Sequence, residues 1–229
     1  MTYFKYYPLD QVDQAKGDVV VIDVLRAFTT AAYAFDRGVE KIIPVSSTAD
    51  ALKIKTQFSG SLIMGEENGL KPEGFDFGNS PVEINRQDFT NKMLIQRTSA
   101  GTQGLIRSEN HRILLAASFV VASMTAEYLK TINPEKVSFI ITGKSMGRDG
   151  DEDQACAEYI EAIFRGENPN SDAFTSRILT SSVGQSFIRG NLKYLMKEDI
   201  EMSGKVNIFN FVMMVSNENN LRVLRPFWL

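Results

Sequence analysis

Four polar stretches carry the residues with chemistry to offer. Asp23 and Arg26 follow the apolar run Val19–Ile22. An acid and a base placed there can hold a cation and an anion side by side, or pair with each other as a structural ion pair. Arg97-Thr98-Ser99-Ala100-Gly101-Thr102-Gln103-Gly104 has the chemistry of an anion cradle. Gly101 lets backbone N–H groups approach a ligand, Ser99 and Thr102 add hydroxyls, and a helix starting there offers its positive end. Arg97 adds a planar fork suited to phosphate or carboxylate. The stretch lacks the Lys-Ser/Thr pair that closes a P-loop, and the turn before any helix can have a similar composition.

Carboxylates supply the complementary chemistry. Asp151-Glu152-Asp153 opens a helical pattern, where acids are favoured by the helix dipole alone. The same triplet can supply a hard-metal site of carboxylate oxygens and waters around Mg²⁺, with Asp23 and Glu66 as further ligands. A single cysteine and a single histidine cannot form a usual zinc set. Cys156 follows three carboxylates, a poor setting for a thiolate nucleophile, and Ala162 stands where a cysteine phosphatase needs Arg. Cys156 and His111 are both expected to be structural.

The elements that must position these groups follow a strand–helix rhythm. Strands are expected at Tyr3–Tyr6, Val19–Asp23, Lys41–Val45, Ser61–Gly65, Lys92–Gln96, His111–Ala117 and Lys136–Thr142. Helices are expected from Ala27 to Arg37, from Ser47 or Thr48 to Gln57, from Ser118 to Leu129 and from Asp151 to Arg165. Apolar runs without alternation read as strands buried on both faces of a parallel sheet. The predicted fold is therefore α/β, a largely parallel central sheet flanked by helices in three αβα layers. In such sheets ligands bind at the carboxyl ends of strands, so the segments Asp23–Arg26, Glu66–Asn79, Arg97–Gly104 and Gly143–Asp153 are expected on one edge. Beyond Gly166 the pattern weakens. Helices are expected over Ala173–Ser182 and Leu192–Met202, strands over Phe209–Val215 and Leu221–Leu224, and Pro226–Leu229 as a docked apolar tail. The chain reads as a single domain over 1–229, with room for a C-terminal subdomain from about residue 166.

Of 229 residues, 43% are hydrophobic and 23% charged, with a net charge of −3. That balance excludes the basic surplus of a typical nucleic-acid binder. No apolar run reaches the roughly 20 residues of a membrane span, and the first residues lack the apolar core of a signal peptide. One cysteine fits a reducing compartment. A cytoplasmic globular protein is expected, with a small anionic phosphorylated substrate as its partner, no nucleic acid, no membrane, and a homodimer as the expected assembly.

Taken in order, several blocks resemble the 2-phosphosulfolactate phosphatase family. These are Val20-Val21-Ile22-Asp23-Val24-Leu25-Arg26-Ala27, Gly65-Glu66-Glu67-Asn68-Gly69, Gly74-Phe75-Asp76-Phe77-Gly78-Asn79-Ser80-Pro81, Arg97-Thr98-Ser99-Ala100-Gly101-Thr102, Ala117-Ser118-Phe119-Val120-Val121-Ala122 and Glu152-Asp153. The family's second block often begins Gly-Glu-Arg, whereas this chain has Glu67 at the third position. The cations left for an anionic substrate are Arg26, Arg97, Lys71 and Arg148. The resemblance implies a Mg²⁺-dependent phosphatase that converts 2-phospho-3-sulfolactate to 3-sulfolactate and phosphate.

On that reading Asp23, Glu66, Glu152 and Asp153 are the expected metal ligands. Arg26, Arg97, Ser99, Gly101, Thr102 and Asn79 are expected to bind substrate. Asp23 and Asp153 are the expected catalytic carboxylates, Asp153 orienting an attacking water. Direct attack by Asp23 is the competing route, but Leu25 stands where Asp-x-Asp phosphatases carry their second acid. Two other functions compete. One is a non-catalytic binder of small phosphorylated acids. The other is an isochorismatase-like hydrolase, which requires a nucleophilic cysteine.

Overall fold

A computed structural model describes residues 1–145, 147–190 and 196–229. The first half contains β1 (Tyr3–Pro8), β2 (Gly17–Ile22), α1 (Ala27–Asp36), β3 (Val39–Val45), α2 (Thr48–Gln57), β4 (Leu62–Gly65), α3 (Pro81–Asn85), β5 (Lys92–Arg97) and α4 (Gly101–Arg107). It continues with β6 (His111–Ala117), α5 (Ala122–Ile132), β7 (Lys136–Ile141), α6 (Asp151–Phe164), α7 (Ser171–Thr180), α8 (Ser182–Arg189), α9 (Lys197–Ser203), β8 (Val212–Glu218) and β9 (Leu221–Phe227). A 3₁₀ turn, Leu9–Gln14, joins β1 to β2.

The strands form one nine-stranded sheet in the order β1-β7-β2-β6-β8-β9-β3-β5-β4. It is the expected α/β architecture, mostly parallel and flanked by helices. β1, β7, β2 and β6 form one parallel block, and β3, β5 and β4 another. The β8–β9 hairpin joins them through three antiparallel pairings. Its two-residue turn, Asn219-Asn220, has positive φ at both positions, as tight hairpins require. Three reversals in succession make the two parallel blocks run in opposite senses. The chemical segments are therefore not gathered on one carboxyl edge of a uniformly parallel sheet. They meet because the helix that follows one block packs against the strand of the other. A Cβ at Gly104 of α4 would lie 2.5 Å from Val21 of β2.

Burial accounts for the sequence pattern. Val19–Ile22 are buried between β6 and β7, and each such side chain taken fully out of water contributes about 1.5–3 kcal/mol. The spacing of Phe28, Ala31, Ala32 and Phe35 anticipates one apolar face on α1, yet every residue from Ala27 to Phe35 is buried. α1 lies against β3, α3 and α4. Ser47 caps α2 as expected, its Oγ accepting the Asp50 N–H at 3.0 Å.

Departures concentrate after residues whose roles are not local. Ser118 caps no helix: Phe119–Val121 form a 3₁₀ turn, α5 starts at Ala122, and the buried Ser118 hydroxyl has no partner among the described residues. The expected helix Ala173–Ser182 is α7, ended at the extended Ser181, whose Oγ then accepts the Gly184 N–H at 3.1 Å and starts α8. A Cβ at Gly184 would collide with the Ile178 carbonyl, so the sharp break between α7 and α8 needs glycine there. Of the expected helix Leu192–Met202, residues 192–195 lie outside the described residues, Met196 is extended, and α9 covers the rest from Lys197. The Pro226–Leu229 tail starts as the end of β9. Phe227 stacks edge-on to Tyr128 and Trp228 to Phe211. Among the described residues no helix is long and apolar enough to cross a membrane.

Candidate active site

The turn between β2 and α1 carries Asp23 and Arg26. Asp23 Oδ1 accepts the Ala27 N–H at 2.9 Å, satisfying a donor that the start of α1 leaves open. Arg26 does not pair with Asp23. Its Nη1 donates to Asp199 Oδ2 at 2.8 Å, and both side chains are buried. Burial pushes the Asp23 carboxyl up to about 6. The Ala27 N–H and the Arg148 charge oppose that rise, and the Glu66 charge adds to it. A carboxylate whose ionised form is desolvated is a stronger base than an exposed one.

The Arg97–Gly104 segment is built as predicted but directed elsewhere. Ser99 donates its N–H to Glu66 Oε1 at 2.5 Å and its hydroxyl to Glu66 Oε2 at 3.0 Å. Gly69 N–H donates to the same Oε2 at 2.6 Å. The anion in the Ser99 cradle is thus the protein's own Glu66. Arg97 Nη1 donates to the Glu66 carbonyl at 2.6 Å, and its Nη2 pairs with Glu67 at 3.4 Å, so Arg97 braces the 66–79 loop. Thr98 and Thr102 exchange bonds: Thr98 N–H donates to Thr102 Oγ1 at 2.9 Å, and Thr102 N–H to Thr98 Oγ1 at 3.0 Å. Gly101 serves packing. A Cβ there would lie 2.6 Å from Ala27 Cβ and 2.7 Å from Asp23 Oδ2, so only glycine lets α4 start against Asp23.

The acidic triplet at the start of α6 divides. Asp151 turns outward to Arg177. Asp153 Oδ1 accepts the Val24 N–H at 2.8 Å, and its Oδ2 accepts the Gly143 N–H at 2.7 Å and the Thr142 hydroxyl at 3.2 Å. It thereby ties the ends of β2 and β7 together. Glu152 is buried beside it, and its Oε2 has no partner among the described residues. Burial raises both acids above the ordinary carboxylate range. The Asp23 charge raises them further, as does Glu152 acting on Asp153.

These contacts narrow the metal question. Among the described residues no three of His, Cys, Asp and Glu converge to hold an ion, so the expected four-carboxylate cage is not formed. Glu66 and Asp153 have both oxygens engaged by N–H or hydroxyl donors. Mg²⁺ needs less than a full protein cage: it keeps several waters and takes one or two carboxylates with substrate phosphate. Asp23, and Glu152 through its unpartnered Oε2, are the acids that could meet that requirement.

A cavity of about 330 Å³ opens onto this region. Asp23, Arg26, Glu66, Asn79 and Ser99 line it, as the sequence anticipated. Asn79 Oδ1 is buried without a partner among the described residues. Arg97, Gly101, Thr102, Glu152 and Asp153 do not line the cavity. Arg148 enters from the loop after β7, and Ser182, Val183, Ser186 and Phe187 form a wall from α8. The α8 residues were missed. Their only local signal is the four-residue spacing of Ser182 and Ser186, which puts two hydroxyls on one helix face.

Cys156 is fully buried, and burial pushes its thiol well above the ordinary range. It does not line the cavity, which argues against an isochorismatase-like reaction. His111 Nδ1 lies 3.0 Å from the Ser108 carbonyl, also away from the cavity.

Known proteins share this arrangement in sequence. A family model described as 2-phosphosulpholactate phosphatase matches residues 6–218. The probable 2-phosphosulfolactate phosphatase of Bacillus subtilis is 35% identical over 211 residues, covering 90% of this chain and 91% of its own. That of Carboxydothermus hydrogenoformans is 35% identical over 221 residues, covering 90% of each chain. A third, from Thermotoga petrophila, is 44% identical over 112 residues, 49% of this chain and 48% of its own. The family model and the two long matches each cover most of the chain, so this chain belongs to the 2-phosphosulfolactate phosphatase family.

Proposed function

We propose that this chain is a phosphoric monoester hydrolase that cleaves 2-phospho-3-sulfolactate to 3-sulfolactate and phosphate with Mg²⁺. The observation that carries the reading is the meeting of the buried Asp23 with Arg26 and Arg148 in one cavity, in a chain of this family. The substrate brings phosphate, sulfonate and carboxylate, and among the described residues the two arginines are the guanidinium groups that line the cavity. A non-catalytic binder of the same ligand would not need a carboxylate held at a raised pKa beside them.

Asp23 and Glu152 would hold the metal, which when bound neutralises phosphate oxygens and lowers the cost of charge on the phosphoryl group. The residues of the chain do the rest. Arg26 and Arg148 attract and orient the anionic groups. Asp23 takes the base role that the sequence suggested for Asp153, because Asp153 is held by three donors and does not line the cavity. Asp23 accepts one proton as a water oxygen bonds to phosphorus and the ester P–O bond breaks. The departing oxygen leaves as the hydroxyl of sulfolactate, protonated from solvent. Leu25 stands where Asp-x-Asp phosphatases carry the acid that protonates the departing alcohol as the aspartyl-phosphate forms, so water is the favoured nucleophile.

Phosphate release from 2-phosphosulfolactate, with Mg²⁺ and with chelator, tests the proposal. Wild-type protein should release phosphate only with metal, and Asp23→Asn should lower the rate about 10²–10⁴-fold, the range for a lost general base. No release under either condition refutes the activity, and an unchanged Asp23→Asn rate refutes the site.

A further inference from the structure

Arg26 reaches the cavity from the β2–α1 turn, but its orientation is set from the far end of the chain. Asp199, in α9, is fully buried. Its Oδ2 accepts from Arg26 Nη1 at 2.8 Å, and its Oδ1 accepts the Ser80 hydroxyl at 2.6 Å. Phe187, in α8, lies beneath the guanidinium, ring centre 5.2 Å from Cζ. The contact with Asp199 is single, through one nitrogen. No other hydrogen bond from Arg26 to the described residues is present, while the side chain lines the cavity.

That geometry differs from a closed ion pair. Arg26 is 94% buried, so its charge needs an internal counterion. A counterion whose only purpose was neutralisation would best use both edges of the fork. Here one carboxylate oxygen takes one nitrogen, and the other oxygen is fixed by Ser80. The aromatic ring below restricts rotation about the remaining axis. The guanidinium is held with an edge left for a second anion.

We infer that Asp199 is a positioning residue, which acts through Arg26 and presents its free edge to an anionic group of the substrate. The inference rests on the proposed phosphatase reading for the identity of that anion. It gives the C-terminal segment a part in the site, since both Asp199 and Phe187 lie beyond residue 166.

The test is Asp199→Asn, which keeps the size and one acceptor but loses the charge. Arg26→Gln and the double variant complete a cycle. Two quantities are measured: kcat and KM on 2-phosphosulfolactate with Mg²⁺, and calorimetric binding of inorganic phosphate. Asp199→Asn should lower kcat/KM and weaken phosphate binding by about tenfold or more, the order of one charge-assisted contact. In the Arg26→Gln background the same change should have no further effect, which is the signature of one residue working through another. Full additivity in the cycle, or a lower unfolding temperature with kcat/KM and phosphate binding unchanged, would make Asp199 a structural counterion and overturn the inference. If Asp199→Asn does not fold, Ser80→Ala replaces it. That variant leaves Asp199 Oδ1 only the longer bond from the Val82 N–H at 3.5 Å, should weaken phosphate binding in the same direction, and overturns the inference if binding is unchanged. Absence of turnover in wild type counts against the phosphatase reading alone, because the phosphate-binding cycle decides the role of Asp199 by itself.

Discussion

Ser99 gives its amide hydrogen to Glu66 Oε1 at 2.5 Å and its hydroxyl to Oε2 at 3.0 Å. The Gly69 N–H closes on the same carboxylate. Glu66 therefore does the work of a bound anion, drawing the loop after β4 onto the start of α4. Glu66→Gln keeps the length but presents an NH₂ group to donors. Leaving buried donors unsatisfied costs about 1–3 kcal/mol, so the urea midpoint should fall correspondingly. Phosphate release should also drop, because the loop that carries Asn79 loosens. An unchanged midpoint would show that these donors find other partners.

Gly101 makes a second, independent prediction. Adding a methyl group at this position places it against Ala27 Cβ and Asp23 Oδ2. Overpacking a close contact costs about 1–3 kcal/mol. The change also shifts the carboxylate on which the reaction depends. Gly101→Ala should lower both the thermal midpoint and kcat, whereas Gly204→Ala, where φ is −81° and a Cβ meets nothing closer than 3.4 Å, should leave kcat near wild type. Equal behaviour of the two variants would exclude the packing role.

How much of this was legible in the sequence depends on distance along the chain. Strand ends and the loops that follow them are local patterns, so Asp23, Glu66 and Ser99 could be placed at one site from their neighbours alone. The partner of Arg26 lies 173 residues away on a helix with no βαβ rhythm around it, and nothing near Asp199 announces a counterion. The Ser99 cradle was readable as anion-binding, but spacing cannot reveal that the anion is an internal glutamate. The β8–β9 hairpin was visible as two late strands. Its place between β6 and β3, which reverses one parallel block against the other, is a matter of non-local pairing. Nearest-neighbour patterns of apolar residues hold no record of that pairing.

The raised Asp23 carboxyl gives a pH dependence with a definite sign. In the metal-free fold it titrates at about 6 rather than the ordinary 3.8. At a pH between these values the folded chain holds a proton that the unfolded chain has already lost. Stability then falls as pH rises, because the unfolded state binds fewer protons. The contribution is fully present below about pH 4 and is lost as pH passes through 6. The separation of the two values corresponds to about 3 kcal/mol. Asp23→Asn carries no such proton. With chelator present, urea unfolding of the two proteins between pH 4 and pH 7 should therefore show the variant gaining on wild type by up to about 3 kcal/mol. Glu152 and Asp153 are raised in the same direction, in part by the Asp23 charge, so the variant also loses that share of their shift and the difference keeps its sign. A difference that stays flat across the window would mean that Asp23 is ionised throughout. Its strength as a base would then have to come from the substrate complex and not from burial.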